Sequence, residues 1–153
     1  MDSREIVAAL TRRGETVATA ESLTAGLVCA TLADVAGASA ALRGGLVVYA
    51  TDLKAELAGV DPALLAEHGA VHPEVAAQLA EGARARCGAT WGLGLTGVAG
   101  PDPQDGVTPG TVHVGLAGDG VREVRTLRFE GDRGAVRQSS VRAAFELLGE
   151  QLV

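Results

Sequence analysis

The sequence predicts an α/β fold in which a mixed, mostly parallel sheet of about five strands carries helices on both faces. Apolar, strand-like runs alternate with segments of helical periodicity, and a hairpin and a last helix follow. Strands separated by helices favour parallel pairing, whereas a hairpin adds antiparallel strands. With 153 residues the chain can bury a sizeable core, so we expect a single domain over residues 1–153.

The first half of the chain is predicted to contain two strands, each followed by helical segments. Residues 16–20 form the first strand, and apolar residues at three- and four-residue steps predict a helix over residues 24–35. Residues 44–50 are a continuous apolar run, which is typical of a strand buried on both faces. Further short helices are expected at residues 3–13, at 52–58 with Gly59 as the end, and after Asp61-Pro62.

The second half of the chain is predicted to complete the sheet and to add a long loop. An Ala-rich helix is expected over residues 73–86, opened by a turn that contains His72, and a third buried strand over residues 90–96. Residues 97–110 form a Gly- and Pro-rich loop, and a structureless stretch of that length is usually functional or disordered. The remaining elements are a hairpin over residues 110–129 that turns at Asp119-Gly120, and a helix from about residue 133 to residue 152.

Ser22 lies at the predicted join between the first strand and the following helix. Backbone N–H groups at a helix start are unpaired and carry partial positive charge, so they can stabilise an anion formed beside this serine. Serine is also a preferred N-cap residue, and an N-cap role alone would explain its position. Ser22 is therefore a candidate nucleophile with a purely structural alternative.

Lys54 is the single lysine of a chain that contains twelve arginines and no asparagine. Arginine cannot accept a proton, whereas a desolvated lysine can be neutral near pH 7. A lysine beside a serine hydroxyl is a known way to activate serine without histidine. The alternative is that Lys54 belongs to an ordinary helix and is solitary by chance.

Three polar side chains are predicted to end neighbouring strands at the same edge of the sheet. They are Ser22, Tyr49 and Thr96. Ligands of open α/β sheets bind beyond the carboxyl ends of the strands, and glycines such as Gly97 let main-chain amides approach a ligand closely. Arg133 and Arg137, one helical turn apart at the start of the last helix, would suit a phosphate, with a solvated basic face as the alternative.

Composition and spacing argue against several other functions. A net charge of −6 argues against a nucleic-acid partner, and no apolar run is long enough for a membrane span or a leader, so we expect a cytoplasmic protein. The literal G-x-G-x-x-G at residues 92–97 lies within a strand and is followed by prolines, so we reject a dinucleotide site. The histidines do not form a ligand set with Cys29 or Cys87, which are expected to be buried thiols, and no metal site is predicted.

Five motifs occur in this chain in a characteristic order and spacing. They are Thr19-Ala20-Glu21-Ser22-Leu23-Thr24-Ala25-Gly26, residues 44–54, His68-Gly69-Ala70-Val71, residues 95–101 and Gly131-Asp132-Arg133. Together they resemble the CinA C-terminal domain family over nearly the whole chain. The resemblance implies a three-layer α/β/α sandwich on a mixed sheet, here as a stand-alone domain. The activity characterised in the family is nicotinamide-nucleotide amidase (PncC type), which hydrolyses nicotinamide mononucleotide to nicotinic acid mononucleotide and ammonia.

The resemblance also implies a role for each candidate residue. Ser22 would be the nucleophile, Lys54 its general base and Tyr49 a catalytic residue beside them. The substrate-binding residues would be Thr96, Gly97, Arg137 and Arg133. Of these, Arg137 would hold the phosphate, with Arg133 as its companion. No metal and no organic cofactor are implied.

Two departures from the family's usual motifs are expected to affect substrate fit more than catalysis. Ala25 stands in Thr24-Ala25-Gly26 where the family commonly has Thr-Gly-Gly, and Tyr49-Ala50-Thr51 stands where Tyr-Ser-Asn is common. We expect an amidase acting on a small molecule, nicotinamide mononucleotide, and a homodimer as the commonest oligomeric state. A non-catalytic, regulatory pyridine-nucleotide-binding domain and an amidase for a different carboxamide remain as alternatives.

Overall fold

The computed structural model describes residues Met1–Val153 and contains six α-helices and five strands. The helices are α1 (Ser3–Arg13), α2 (Leu27–Ala33), α3 (Thr51–Ala58), α4 (Pro62–His68), α5 (Pro73–Cys87) and α6 (Arg133–Leu152). The strands are β1 (Val17–Glu21), β2 (Leu42–Val47), β3 (Trp91–Gly97), β4 (Thr111–Gly118) and β5 (Val121–Arg128). A short 3₁₀ helix, Ala38–Ala40, precedes β2.

The five strands form one sheet in the order β2-β1-β3-β4-β5. β1 pairs in parallel with β2 and with β3, whereas β4 pairs antiparallel with β3 and with β5. β1, β2, β3 and β5 therefore run in one direction, and β4 alone runs in the other. The mixed, mostly parallel sheet predicted from the sequence is confirmed.

Helices cover both faces of the sheet and divide the core into two clusters. One face packs against α1, α2 and α6 in a cluster of 25 buried residues, and the other packs against α3, α4 and α5 in a cluster of 9. Along β1, Val17 belongs to the first cluster and Ala18 and Ala20 to the second, because successive side chains of a strand point to opposite faces. The result is a three-layer α/β/α sandwich.

Helix α5 lies very close to the sheet because glycines line the surface that it contacts. A Cβ atom at Gly94 would lie 2.5 Å from the backbone nitrogen of Ala80, and Cβ atoms at Gly92 and Gly115 would also collide with the α5 backbone. The glycines of the literal G-x-G-x-x-G therefore serve the contact between helix and strand. This is consistent with the rejection of a dinucleotide site.

The apolar run over residues 44–50 is not a strand buried on both faces, and that prediction is wrong. β2 ends at Val47 and lies at the edge of the sheet, where its residues alternate between half-buried and exposed. Val47 is 49% exposed and Tyr49, just beyond the strand, is 55% exposed. The composition of an apolar run does not reveal whether the strand will have a neighbour on one side or on both.

The helix ends follow the local signals in the sequence. Gly59 ends α3 in the left-handed conformation, and Asp61 caps α4 by accepting a hydrogen bond from Ala63 N at 2.9 Å. His72 opens α5 as predicted, since its Nδ1 accepts from Glu74 N at 3.1 Å. None of the helices has both the length and the apolarity needed to span a bilayer.

We expect Gly94→Ala to lower the free energy of unfolding by about 2–4 kcal/mol, because the added Cβ would have to displace the α5 backbone. Urea denaturation followed by circular dichroism measures the change. Gly134→Ala is the matched control: a Cβ there meets its nearest atom at 3.6 Å and lies in a helix, so stability should be unchanged or higher. Wild-type stability in Gly94→Ala would contradict the close contact between α5 and the sheet.

Candidate active site

Ser22 follows β1 directly and lies between the ends of the two neighbouring strands. Its N–H donates to the Leu95 carbonyl of β3 at 3.0 Å, and on the other side the N–H of Val48 donates to the Glu21 carbonyl at 2.9 Å. Sheet pairing therefore continues to the residue after the strand and fixes the Ser22 backbone at the carboxyl edge. Ser22 is 8% exposed and lines a surface cleft.

The helix predicted over residues 24–35 begins later than expected. A turn occupies residues 22–26, in which Ala25 and Gly26 have φ values of 49° and 94°, and α2 begins at Leu27. Gly26, rather than Ser22, is the N-cap of α2. Apolar periodicity located the helix, but it gave no signal for the left-handed turn before it.

Glu21 joins the end of β1 to the start of α2. Its buried carboxylate accepts hydrogen bonds from Val28 N at 2.8 Å, from Cys29 N at 3.1 Å and from Thr19 Oγ1 at 2.9 Å. Glu21 is a positioning residue that the sequence analysis did not single out. An acidic residue shortly before a helix is a signal for such a contact, since carboxylates favour helix N-termini.

The hydrogen bonds of Glu21 correct the expectation that the start of α2 would stabilise an anion at Ser22. The N–H groups of the first turn of α2 already have acceptors, because Leu27 N donates to the Thr24 carbonyl and the next two amides donate to Glu21. The amides of Leu23 and Thr24, by contrast, donate to no protein acceptor. These two amides are the unoccupied backbone donors directly after Ser22.

Lys54 is 1% exposed and lies against the end of β2. Its Nζ donates to the Val48 carbonyl at 2.8 Å and to the Tyr49 carbonyl at 3.2 Å. Because Val48 N donates to the Glu21 carbonyl, these bonds place the amine at the end of β2, beside the end of β1 that Ser22 follows. Lys54 is not among the residues that line the cleft. Burial lowers the pKa of Lys54 from 10.5 to about 8, and the Asp105 carboxylate opposes this effect.

A pKa of about 8 raises the fraction of Lys54 that is neutral at physiological pH. At pH 7 roughly one molecule in ten carries a neutral Lys54, against roughly one in three thousand for an unperturbed lysine. A buried amine near its pKa can therefore both accept and return a proton. That is the property required of a general acid–base residue.

The cleft beside Ser22 has a volume of about 300 Å³, at the lower end of the range for small-molecule sites. Its walls come from the turn after β1, the segment after β2, the loop after β3 and the start of α6. The polar side chains that line it are Ser22, Tyr49, Asp102, Gln104 and Arg133. This side of the sheet edge is therefore polar and bears both signs of charge.

Arg133 crosses the mouth of the cleft. Its guanidinium donates to the Gly100 carbonyl at 2.7 Å and to the Tyr49 hydroxyl at 2.8 Å. The exposed phenol of Tyr49 is thereby oriented by an arginine from the opposite wall. The structure brings these two predicted site residues together.

Arg137 and Thr96 do not line the cleft; they hold the backbone around it. Arg137 donates to the Leu23 carbonyl at 2.9 Å and to the Thr24 carbonyl at 3.0 Å, which fixes the turn after Ser22. Thr96 Oγ1 donates to the Ala70 carbonyl at 2.7 Å. Gly97, the next residue after Thr96, does line the cleft.

The loop over residues 97–110 is ordered by its own hydrogen bonds, although its composition suggested a structureless stretch. Gln104 and Val107 exchange backbone hydrogen bonds at 3.1 and 2.8 Å. Between them, Asp105 and Gly106 have φ values of 49° and 74°, the conformation of a two-residue hairpin turn. This short hairpin supports the wall of the cleft formed by residues 97–104.

The remaining candidates lie elsewhere. The rings of His68 and His72 stack at 4.5 Å, and His113 shares a hydrogen bond of 2.8 Å with Thr126. The structure contains no group of three or more metal-ligating side chains. Cys29 and Cys87, expected to be buried, are free thiols of intermediate exposure, and burial raises the pKa of Cys29.

The two departures from the family motif also lie outside the cleft. Ala25 is exposed, and its left-handed φ of 49° means that its methyl group adds backbone strain of about 1 kcal/mol. Thr51 is exposed at the first position of α3. Neither residue is among those that line the cleft, so the cleft walls give no support to the expected effect on substrate fit.

The chain belongs to the CinA C-terminal domain family, whose model matches residues 2–152. The CinA-like protein of Frankia casuarinae is 49% identical over 147 residues, and the match covers 96% of this chain and 34% of that protein. The CinA-like protein of Anaeromyxobacter dehalogenans is also 49% identical over 147 residues, which cover 94% of this chain and 35% of that protein. This chain therefore spans about a third of the length of these relatives.

Solved structures of the same superfamily share the fold. The competence/damage inducible protein CihA from Agrobacterium tumefaciens is 34% identical with a TM-score of 0.93, over 97% of this chain and 92% of that one. A CinA superfamily protein from Klebsiella pneumoniae is 33% identical with a TM-score of 0.94, over 98% and 94% of the two chains. The family and the α/β fold inferred from the sequence are both confirmed.

We expect the stability of Lys54→Met relative to wild type to depend on pH. Because burial lowers the pKa of Lys54 from 10.5 to about 8, the folded state binds fewer protons than the unfolded state between these values. The free energy of unfolding of the wild type therefore rises as the pH increases from 8 to 10.5. Below pH 8 the buried amine is protonated in the folded state, and the full destabilisation by the buried ammonium is present. The variant lacks the group, so its stability relative to wild type should fall by about 3 kcal/mol from pH 8 to 10.5.

Urea denaturation of both proteins at several pH values measures this difference. Leu53→Met, on the same helix, is the control for pH effects unrelated to the amine. A difference between Lys54→Met and wild type that stays constant with pH would contradict the lowered pKa of Lys54.

Proposed function

We propose that this chain is an amidase that hydrolyses a carboxamide through Ser22, with nicotinamide mononucleotide as the substrate. The observation that carries the proposal is the place of Lys54, a buried amine with a pKa of about 8 at the strand end next to the serine. An amine in that state can act as a base near neutral pH. Membership of the CinA C-terminal domain family, with its characterised amidase activity, supports the choice of substrate.

In the proposed reaction, Lys54 Nζ takes the hydroxyl proton as Ser22 Oγ bonds to the carboxamide carbon. The tetrahedral intermediate then loses its C–N bond, and Lys54 returns the proton to the departing nitrogen, which leaves as ammonia. Water attacks the resulting Ser22 ester while Lys54 accepts a proton from it, and Ser22 Oγ recovers that proton as the carboxylate product leaves. The balance is one amide and one water consumed for one carboxylic acid and one ammonia.

The oxyanion of the tetrahedral intermediate needs hydrogen-bond donors that are already in place. We assign this role to the amides of Leu23 and Thr24, which follow the nucleophile and have no protein acceptor. The amides of α2 cannot serve, because Glu21 occupies them. The role of Tyr49 is to orient substrate at the mouth of the cleft, where its hydroxyl accepts a hydrogen bond from Arg133.

We assign the phosphate of the nucleotide to the start of α6. Arg133 lines the cleft and uses only some of its five N–H groups on Gly100 and Tyr49. The Asp132 carboxylate already caps the first turn of α6 through Ala135 N, so the positive charge offered to a phosphate there comes from the Arg133 side chain. Arg137, the phosphate ligand implied by the family resemblance, would act on the substrate through the turn whose carbonyls it holds.

One observation favours a second candidate function, a domain that binds a pyridine nucleotide without hydrolysing it. The hydrogen bonds of Lys54 Nζ go to two backbone carbonyls and none goes to Ser22 Oγ. A lysine in that arrangement can serve as a structural cation at the end of β2. Nucleotide binding without release of ammonia would establish this alternative.

We expect Ser22→Ala and Lys54→Arg each to lower release of ammonia from nicotinamide mononucleotide by at least about a thousandfold. Alanine removes the nucleophile, and arginine keeps the charge but cannot accept the proton. Ser39→Ala, which removes an exposed serine hydroxyl that does not line the cleft, is the matched control and should retain full activity. Turnover that survives in Ser22→Ala would eliminate the proposed nucleophile.

The two arginines should give different kinetic results. We expect Arg133→Ala to raise KM for nicotinamide mononucleotide by about tenfold or more, with a smaller effect on kcat, because a phosphate contact is lost. It should leave turnover of nicotinamide, which has no phosphate, unchanged. Arg137→Ala should lower kcat and thermal stability, since it frees two carbonyls beside Ser22. If Arg137→Ala raises KM and Arg133→Ala does not, phosphate binding would instead be assigned to Arg137.

A further inference from the structure

The cleft beside Ser22 contains a carboxylate that is free to meet a ligand. Asp102 lines the cleft and is exposed, and it takes part in none of the five ion pairs of the protein. Arg133, which lines the same cleft, donates instead to the Gly100 carbonyl at 2.7 Å and to the Tyr49 hydroxyl at 2.8 Å. The negative charge of Asp102 is therefore not neutralised by the arginine of the cleft.

The local uses that aspartate commonly has in loops do not explain Asp102. It precedes no helix, so it is not an N-cap. An Asx turn would need the amide two residues later, but Gln104 N donates to the Val107 carbonyl at 3.1 Å. Asp102 also lies between Pro101 and Pro103, and prolines on both sides restrict its backbone. The carboxylate is thus held on the cleft wall without a partner in the loop.

The charges of the cleft favour a ligand that itself carries both signs. Asp102 and Arg133 are the two charged residues that line it, one of each sign. Tyr49, 55% exposed, adds an aromatic ring, and the face of such a ring attracts cations. A carboxylate and an aromatic ring on one cleft suit an organic cation, while Arg133 suits an anion. The complementary ligand is a zwitterion.

The cleft is small enough for a charge on its wall to act on any ring inside it. A volume of about 300 Å³ corresponds to a width of roughly 7 Å, which is within the ~8 Å over which salt screens charges at physiological ionic strength. In nicotinamide mononucleotide the ribose is attached to the ring nitrogen, so the ring is a pyridinium cation, and the phosphate at the other end is an anion. Nicotinamide has neither charge.

We propose that Asp102 determines specificity for the ring of the substrate: its carboxylate is the counter-charge of a pyridinium cation, and the cleft thereby selects a cationic carboxamide over a neutral one. The proposal rests on the proposed function for the identity of the ligand. With the phosphate at Arg133 and the cationic ring at Asp102, the two charged residues also define which way round the nucleotide lies in the cleft.

Reduced nicotinamide mononucleotide makes a direct test possible, because its dihydropyridine ring is neutral while its carboxamide, ribose and phosphate are unchanged. Calorimetric titration in a Ser22→Ala background measures the Kd of both forms without turnover. Asp102→Asn keeps the shape of the side chain and removes its charge. It should raise the Kd of the oxidised form by about threefold, a modest effect because the residue is exposed, and should not raise the Kd of the reduced form.

Two further variants separate this effect from changes in net charge and from loss of the phosphate contact. Asp119→Asn removes one negative charge in the turn between β4 and β5, which lies beside the start of β3 at the opposite edge of the sheet, and should leave both Kd values unchanged. Arg133→Ala should raise the Kd of both forms by a similar factor, because both carry the phosphate. Only Asp102→Asn should change the ratio of the two Kd values.

A ratio of the two Kd values that is unchanged in Asp102→Asn, or that changes equally in Asp119→Asn, would overturn the role of Asp102. Failure of the proposed function gives a different result. A wild-type protein that releases no ammonia would refute the amidase, while the two Kd values would still decide the charge preference. Ammonia release together with an unchanged ratio would refute this inference alone. If neither form binds, both the proposed substrate and the role of Asp102 are wrong.

Discussion

The buried carboxylate of Glu21 is the interaction on which the geometry of the site depends. It accepts hydrogen bonds from two backbone amides of α2 and from one side-chain hydroxyl of β1. These bonds fix the path of the chain from the end of β1 to the start of α2. A buried carboxylate without such donors would cost several kcal/mol, so other arrangements of this junction are unfavourable. Ser22, the next residue, is positioned by this junction. Its amide is held by β3, and Arg137 holds the carbonyls of the two residues after it.

Glu21 and Lys54 are two buried ionisable residues near the ends of β1 and β2, and their polar atoms have different numbers and kinds of partners. Glu21 has donors for both carboxylate oxygens, whereas Lys54 has only two neutral carbonyls and the more distant influence of Asp105. Burial lowers the pKa of Lys54, and the opposing effect of Asp105 is smaller. The same under-solvated amine that reduces stability at neutral pH is the one that can exchange a proton there.

The fold could be predicted from the sequence because its signals are local. The bounds of α1 and α6, the end of α3 at Gly59 and the hairpin follow from periodicity, caps and turn residues. The predictions that were wrong concern features that depend on contacts between residues far apart in the sequence. The edge position of β2 depends on which strands pair, and the start of α2 at Leu27 depends on a carboxylate several residues earlier. Which of Arg133 and Arg137 lines the cleft depends on the angle at which α6 approaches the sheet, which helical spacing does not define.

The loop over residues 97–110 shows a further limit of composition as a guide. Its glycines and prolines indicate an irregular chain, yet a two-residue turn and the contact of Asp105 with Ala70 give it a defined shape. Ser22 and Lys54 are held by the sheet and its core, whereas the part of the cleft wall formed by residues 97–104 belongs to this separately tethered segment. Substitutions in the wall can therefore change the shape of the cleft without moving Ser22 or Lys54. Ser22 and Lys54 on the one hand, and the loop wall of the cleft on the other, are thus fixed by different parts of the sequence.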